Sequence, residues 1–163
     1  KRLHEIDVRE AAKKKKEAAK NNLETFIFDA RSKLSDDDVE LVSTEEVRED
    51  VRAQLMDAED WLYGDGDNAE TEVYVEKLQG LKNLTDPIQH RARELTARPE
   101  AMKKAQEFIK ETRAAIEKLP KSKPFLTAEE IKVAEDELDT YEKYLEENEE
   151  KQNALKPTDD PVL

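Results

Sequence analysis

The chain has 163 residues, of which 42% are charged, and its 41 acidic against 28 basic side chains give a formal net charge of −13. That balance argues against a nucleic-acid binder, which must present a net basic face to phosphates. With no Cys there is neither a disulfide nor a thiolate metal site. Only 3 Gly and 6 Pro punctuate the chain, and Ala, Leu, Glu, Lys, Gln and Arg dominate it. This composition predicts an all-α fold, a bundle of long amphipathic helices in a single domain over 1–163. No run is long and apolar enough to be a membrane-spanning helix. The opening Lys1 and the absence of a leader suggest a fragment of a longer protein.

The first helix is predicted from Val8 to Leu34. Its start, through residue 19, is rich in Ala and Lys and has almost nothing to bury, so it should protrude. The stripe Leu23, Phe26, Ile27, Ala30 and Leu34 then docks it. Asp36 to Val42 reads as a loop. Ser43 and Glu46 form a capping box for a second helix, whose core face is Val47, Val51, Leu55, Ala58 and Leu62, with Trp61 beside them. Gly64-Asp65-Gly66-Asp67 ends it, with glycine taking the left-handed exit.

A third helix starts with a box from Asp67 to Glu70 or with Asn68 as its cap. It carries Tyr74, Leu78, Leu81, Leu84 and Ile88. Pro87 predicts a kink, and Pro99 the first turn of a new helix. That helix is expected to bury Ala101, Ala105, Phe108, Thr112, Ile116 and Leu119 and to stop at Pro120. After a linker from Lys121 to Phe125, Thr127 and Glu130 form another capping box. The last helix reaches about Leu155 with the heptad stripe Ile131, Ala134, Leu138, Tyr141, Leu145, Asn148, Gln152 and Leu155. From Phe125 onward the chain has 13 acidic and 4 basic residues. The acidity is therefore concentrated at 125–155 and in the tail, 156–163, beyond a bundle spanning 20–120.

Motifs for catalysis are missing. His4 and His90 stand alone, and three glycines cannot build a phosphate loop. Asp65, Asp67 and Glu76 imitate a calcium loop, but Glu70 occupies the position that needs Gly. The run Glu146, Glu147, Glu149 and Glu150 reads as a solvated face. The chain is therefore read as non-enzymatic, without metal or cofactor. Asn83-Leu84-Thr85 is a glycosylation sequon, usable only in the secretory pathway. Phe125, Leu126, Tyr141, Tyr144 and Leu145 are candidates for an apolar strip bordered by carboxylates, suited to unfolded polypeptide.

Several segments resemble a known family. Lys20-Asn21-Asn22-Leu23-Glu24-Thr25-Phe26-Ile27-Phe28-Asp29-Ala30-Arg31 resembles the lid of heat-shock protein 70, with an ending that leans toward its large relatives. Trp61-Leu62-Tyr63 with Gly66, then Leu78, Leu81, Pro87-Ile88 and Arg98-Pro99, follow in the family's order. Val42-Ser43-Thr44-Glu45-Glu46 and the closing Pro157 and Pro161-Val162-Leu163 resemble the glucose-regulated protein 170, or hypoxia up-regulated, type. The resemblance implies a lid-like chaperone domain with an extra C-terminal helix, located in the endoplasmic reticulum lumen. It implies that the domain holds unfolded polypeptides and embraces the ATPase domain of a lumenal heat-shock protein 70 during nucleotide exchange. ATP would be bound by an N-terminal domain outside this sequence. Residue pattern alone leaves a second reading level with this one, a structural module whose last helix pairs through its heptads.

Overall fold

The computed structural model describes residues 2–162, with side chains described over 7–162. The fold is all-α, with five helices and no strand among the described residues. In chain order these are α1 (Arg2–Lys33), α2 (Asp37–Leu41), α3 (Glu45–Tyr63), α4 (Thr71–Ser122) and α5 (Ala128–Asn153). They form two compact units, Lys1–Ala92 and Arg93–Leu163. The division falls inside α4, within the 20–120 stretch that the sequence presents as one bundle.

In the first unit, the side chains from Asp7 to Ala18 are exposed except for half-buried Lys16. The docking stripe of α1 then buries Leu23, Ile27, Ala30 and Leu34. The segment expected to be a loop contains α2. Asp37, Asp38 and Glu40 lie in its first turn, where acids favour a helix N-terminus, and Val39 is buried, as is Val42 just beyond its end. Thr44, rather than Ser43, caps α3, accepting a hydrogen bond from the Val47 N–H at 3.3 Å. Ser43 is buried and donates to the Val39 carbonyl at 2.5 Å. The core face of α3 runs Arg48, Val51, Leu55, Ala58 and Leu62, so Val47 is 42% exposed and Arg48 takes the inward position. Two arms of the Arg48 guanidinium are engaged there, Nη1 donating to the Ser43 carbonyl at 2.7 Å and Nη2 pairing with the Glu45 carboxylate at 2.5 Å, while its Nε is buried without a partner.

The turn after α3 is pinned from two sides. Lys16 Nζ donates to the Asn68 carbonyl at 2.9 Å, and Lys20 Nζ pairs with Asp67 at 2.5 Å. The buried Tyr74 hydroxyl donates to the Gly66 carbonyl at 2.6 Å. With Asp67 and Asn68 engaged in this way, α4 begins at Thr71, after the predicted caps. Gly64 leaves α3 at φ −107°, and no described residue has a positive φ, so the expected left-handed exit does not occur. Trp61 is half-buried, edge-on to Tyr74 at 5.8 Å between centroids, with Lys77 Nζ 4.2 Å above its ring.

α4 continues through Pro87 and Pro99 and two residues past Pro120, so the new start expected at Pro99 and the stop expected at Pro120 do not occur. Pro87 removes the donor for the Asn83 carbonyl, but Asn83 is exposed and water can serve that oxygen. Burial of Tyr74, Leu81, Ile88 and Ala92 along one side outweighs the local penalty.

The second unit is an antiparallel pair formed by the C-terminal half of α4 and α5. Ile109, Ile116, Leu138 and Leu145 make its core, with Met102, Ala105, Leu119, Ile131 and Ala134 packed against them. Arg113 fixes the register, pairing with Asp139 at 2.9 Å and Glu142 at 2.5 Å. The inward row of α4 is therefore 102, 105, 109, 112, 116 and 119, with a regular three-four spacing. Ala101 and Phe108, expected inside, are exposed. The Thr127–Glu130 capping box forms as predicted, and α5 ends at Asn153, just short of the expected Leu155. Tyr141 is 41% exposed, while Asn148 is buried and donates to the Tyr144 carbonyl at 2.7 Å.

Candidate functional site

A helix turns about 100° per residue, so residues on each side of an inward row share a flank. On α4, Ala101, Phe108 and Ala115 fall to one side of that row, with Ala105 and Thr112 at its margin. On α5, Tyr141, Tyr144 and Asn148 fall to the same side of the hairpin. The register set by Arg113 and Asp139 brings Phe108 level with Tyr144. Phe108, Tyr141 and Tyr144 are 58%, 41% and 56% exposed. The result is an aromatic face over small residues, in which none of these eight side chains is charged. Three exposed aromatic side chains on one flank, bordered by Glu137, make it a candidate interaction surface.

Of the five residues predicted for polypeptide binding, the structure brings Tyr141 and Tyr144 together. Leu145 belongs to the core. Phe125, 77% exposed, and half-buried Leu126 lie in the connection before α5, roughly 20 Å along the helix from Tyr141. The predicted strip is thus two separate places. The expected inward row differs from the observed one at two places, Ala101 and Phe108 standing where Met102 and Ile109 point inward, and this hid Phe108 as a surface residue. The uninterrupted spacing from Met102 to Leu119 carried the signal.

The opposite flank is a groove of a different kind. A 440 Å³ cavity lies between Met102, Gln106, Ile109, Lys110 and Arg113 on α4 and Glu142, Leu145, Glu146 and Glu149 on α5. A 420 Å³ cavity continues it past Arg98, Pro99 and Lys103, sharing Met102, Gln106 and Glu149. The α4 wall is basic and the α5 wall acidic. Asp139 and then Glu142 raise the pKa of Arg113, so its charge is secure.

The remaining sequence candidates are separate from both flanks. His90 is exposed, and His4 lies outside the residues with described side chains. Asp67 is occupied by Lys20, whose ammonium holds its carboxyl below the ordinary value. Asn83 is exposed on α4 and accepts a hydrogen bond from Gln79 at 2.9 Å. Among the described residues, no group of three or more His, Cys, Asp or Glu is placed to hold a metal ion, and no helix is long and apolar enough to cross a membrane.

Comparison with known proteins adds sequence relatives. The chain is 33% identical over 164 residues to heat shock protein 110 of Caenorhabditis elegans, covering 99% of this chain and 21% of that protein. It is 33% identical over 130 residues to heat shock 70 kDa protein 17 of Arabidopsis thaliana, covering 80% of this chain and 15% of the relative. It is 29% identical over 166 residues to hypoxia up-regulated protein 1 of Gallus gallus, covering 100% of this chain and 17% of the relative. The relatives are members of the heat-shock protein 70 and 110 families. The chain spans only about a fifth of the length of the curated relatives it matches. No family model and no solved structure matches it.

Proposed function

We propose that this chain is the C-terminal helical part of a large heat-shock protein 70 relative of the glucose-regulated protein 170, or hypoxia up-regulated, type. It acts as a non-enzymatic chaperone module that holds unfolded polypeptide. The observation that carries the reading is the aromatic face of Phe108, Tyr141 and Tyr144 in a chain whose whole length aligns with large heat-shock proteins. An unfolded segment offers apolar side chains that these rings can cover, and Ala101, Ala105 and Thr112 leave room for its backbone to approach. The carboxylates of α5 and the net charge of −13 attract segments rich in Lys and Arg.

In the full-length protein, an N-terminal ATPase domain would bind ATP, and this helical part would support nucleotide exchange by gripping the ATPase domain of a lumenal heat-shock protein 70. The compartment is the endoplasmic reticulum lumen, with Asn83 the attachment point for a glycan. Expression in a secretory host and treatment with a glycan-removing enzyme tests this part. A mobility shift that is lost in Asn83→Gln supports it, and no shift removes it.

The holding function is tested by suppression of aggregation of heat-denatured citrate synthase. Phe108→Ser/Tyr141→Ser/Tyr144→Ser is expected to keep its helicity and lose most of the suppression. Unchanged suppression by this folded variant would sink the assignment of the site.

A further inference from the structure

We infer that the charged groove on the other flank of the α4–α5 hairpin is a self-association surface that a second copy of this chain covers. The inference does not rest on the holding function. Among the described residues, Lys103 and Lys110 on the α4 wall have no ion-pair partner, and neither do Glu146 and Glu149 on the α5 wall. Between the walls, Met102 is half-buried and gives the groove an apolar floor together with the edges of Ile109 and Leu145.

A groove with one basic and one acidic wall is complementary to itself under a particular symmetry. A two-fold axis parallel to the helices and running along the groove lays α4 of one copy over α5 of the other, at the same height and antiparallel. The antiparallel register places Gln106 level with Glu146 and Lys103 level with Glu149. The two-fold therefore sets Lys103 against Glu149 of the second copy, and Lys110 against its Glu142 and Glu146. Each contact occurs twice, as an isologous interface requires. The product is a four-helix bundle, which gives the two-helix unit the missing half of its enclosure. A partner with one sign of charge would meet repulsion from one wall, so the groove selects against it. The aromatic flank faces away and stays open in the dimer.

The test is sedimentation of the full chain at physiological salt, which screens the self-repulsion of a net −13 molecule. The wild type is expected to be in concentration-dependent equilibrium between monomer and dimer. Lys103→Glu/Lys110→Glu sets acids against the acidic wall of the second copy, and Glu146→Lys/Glu149→Lys sets cations against its basic wall. Each is expected to weaken self-association on the order of 100-fold while keeping its helicity. Mixing the two variants is expected to restore a dimer, now a heterodimer. A wild type that stays monomeric at high micromolar concentration overturns the inference. So does a dimer indifferent to both charge reversals, or a mixture of variants that fails to associate.

Discussion

Gly66 lies directly beneath the indole of Trp61: a Cβ at this glycine would stand 2.6 Å from three of the ring atoms. The contact, rather than backbone freedom, requires glycine here, since its φ is not positive. Tyr74 and Lys77 hold the ring on its other sides, so it has little room to retreat. Gly66→Ala is expected to destabilise the first unit by about 1–3 kcal/mol, read from denaturant unfolding. A variant as stable as the wild type would show that the indole moves freely.

Trp61 is the single tryptophan and reports on the first unit alone. Among the described residues, fifteen of the buried apolar side chains lie in that unit and four in the second. The second unit therefore has much less burial to offset its chain entropy. Thermal unfolding followed by far-ultraviolet circular dichroism is expected to begin below the transition seen by Trp61 fluorescence. Coincident curves would mean that α4 couples the units into one cooperative block.

The parts of this architecture that were legible in the sequence are those where one signal acts alone. The stripe from Leu23 to Leu34 is unambiguous, and the Thr127–Glu130 box has no competing cap. Errors arose where two signals competed. Ser43 and Thr44 both suit a cap, and a buried Arg48 that needs the Ser43 oxygens decided between them. Pro87 and Pro99 disfavour helix locally, yet burial along α4 prevailed, a tertiary effect that no window of a few residues contains. In the candidate site, Tyr141 and Tyr144 were legible from α5 alone. Phe108 needed the inward row of α4, which Ala101 and Ala105 leave ambiguous because small residues suit either side.

Among the described residues, three carboxylates have pKa values below their ordinary ones: Asp67 through its bond with Lys20, Glu45 through Arg48 and then Arg52, and Glu130 through the Thr127 backbone N–H. A lowered native pKa stabilises the fold above the unfolded value and loses that contribution as pH falls through the native one. Lys20 is raised by Asp67, and Tyr63 by Glu24, so their contributions are present below their ordinary values and are lost as pH rises through the native ones. The melting temperature is therefore expected to be level near neutrality. It should fall on acidification below the ordinary carboxyl values of 4.5 and 3.8, and again in alkali above 10.0. Lys20→Met is expected to shallow both limbs. Limbs of unchanged depth in that variant would exclude the Lys20–Asp67 pair as their source.

Pro99 sits in the interior of α4, where it denies a donor to the Leu95 carbonyl and its ring crowds the preceding turn. Its side chain is exposed, so removing it leaves no cavity. Pro99→Ala is expected to stabilise the second unit by roughly 2 kcal/mol, the relieved helix penalty less the gain in unfolded-chain entropy. The lower of the two thermal transitions should rise while the Trp61 transition stays in place. A lowered transition would mean that α4 needs the proline's geometry at this point.

Neighbouring residues on α5 are expected to separate stability from binding. Leu145 is 9% exposed and packs with Ile109, Ile116 and Leu138, whereas Tyr144 is 56% exposed on the aromatic flank. Leu145→Ala removes buried methyl groups from a small core and is expected to cost about 2–4 kcal/mol. Tyr144→Ser is expected to stay within about 0.5 kcal/mol of the wild type, as surface changes do. Binding of a fluorescent, denatured polypeptide should show the reverse order, weakened by Tyr144→Ser and preserved by Leu145→Ala at temperatures where that variant remains folded. Phe125→Ser supplies the control, being exposed but roughly 20 Å from Tyr141. If Phe125→Ser weakens binding as much as Tyr144→Ser, the polypeptide spans both places and the site is longer than the aromatic flank. If Tyr144→Ser alone weakens it, the flank formed with Phe108 is the whole of the contact.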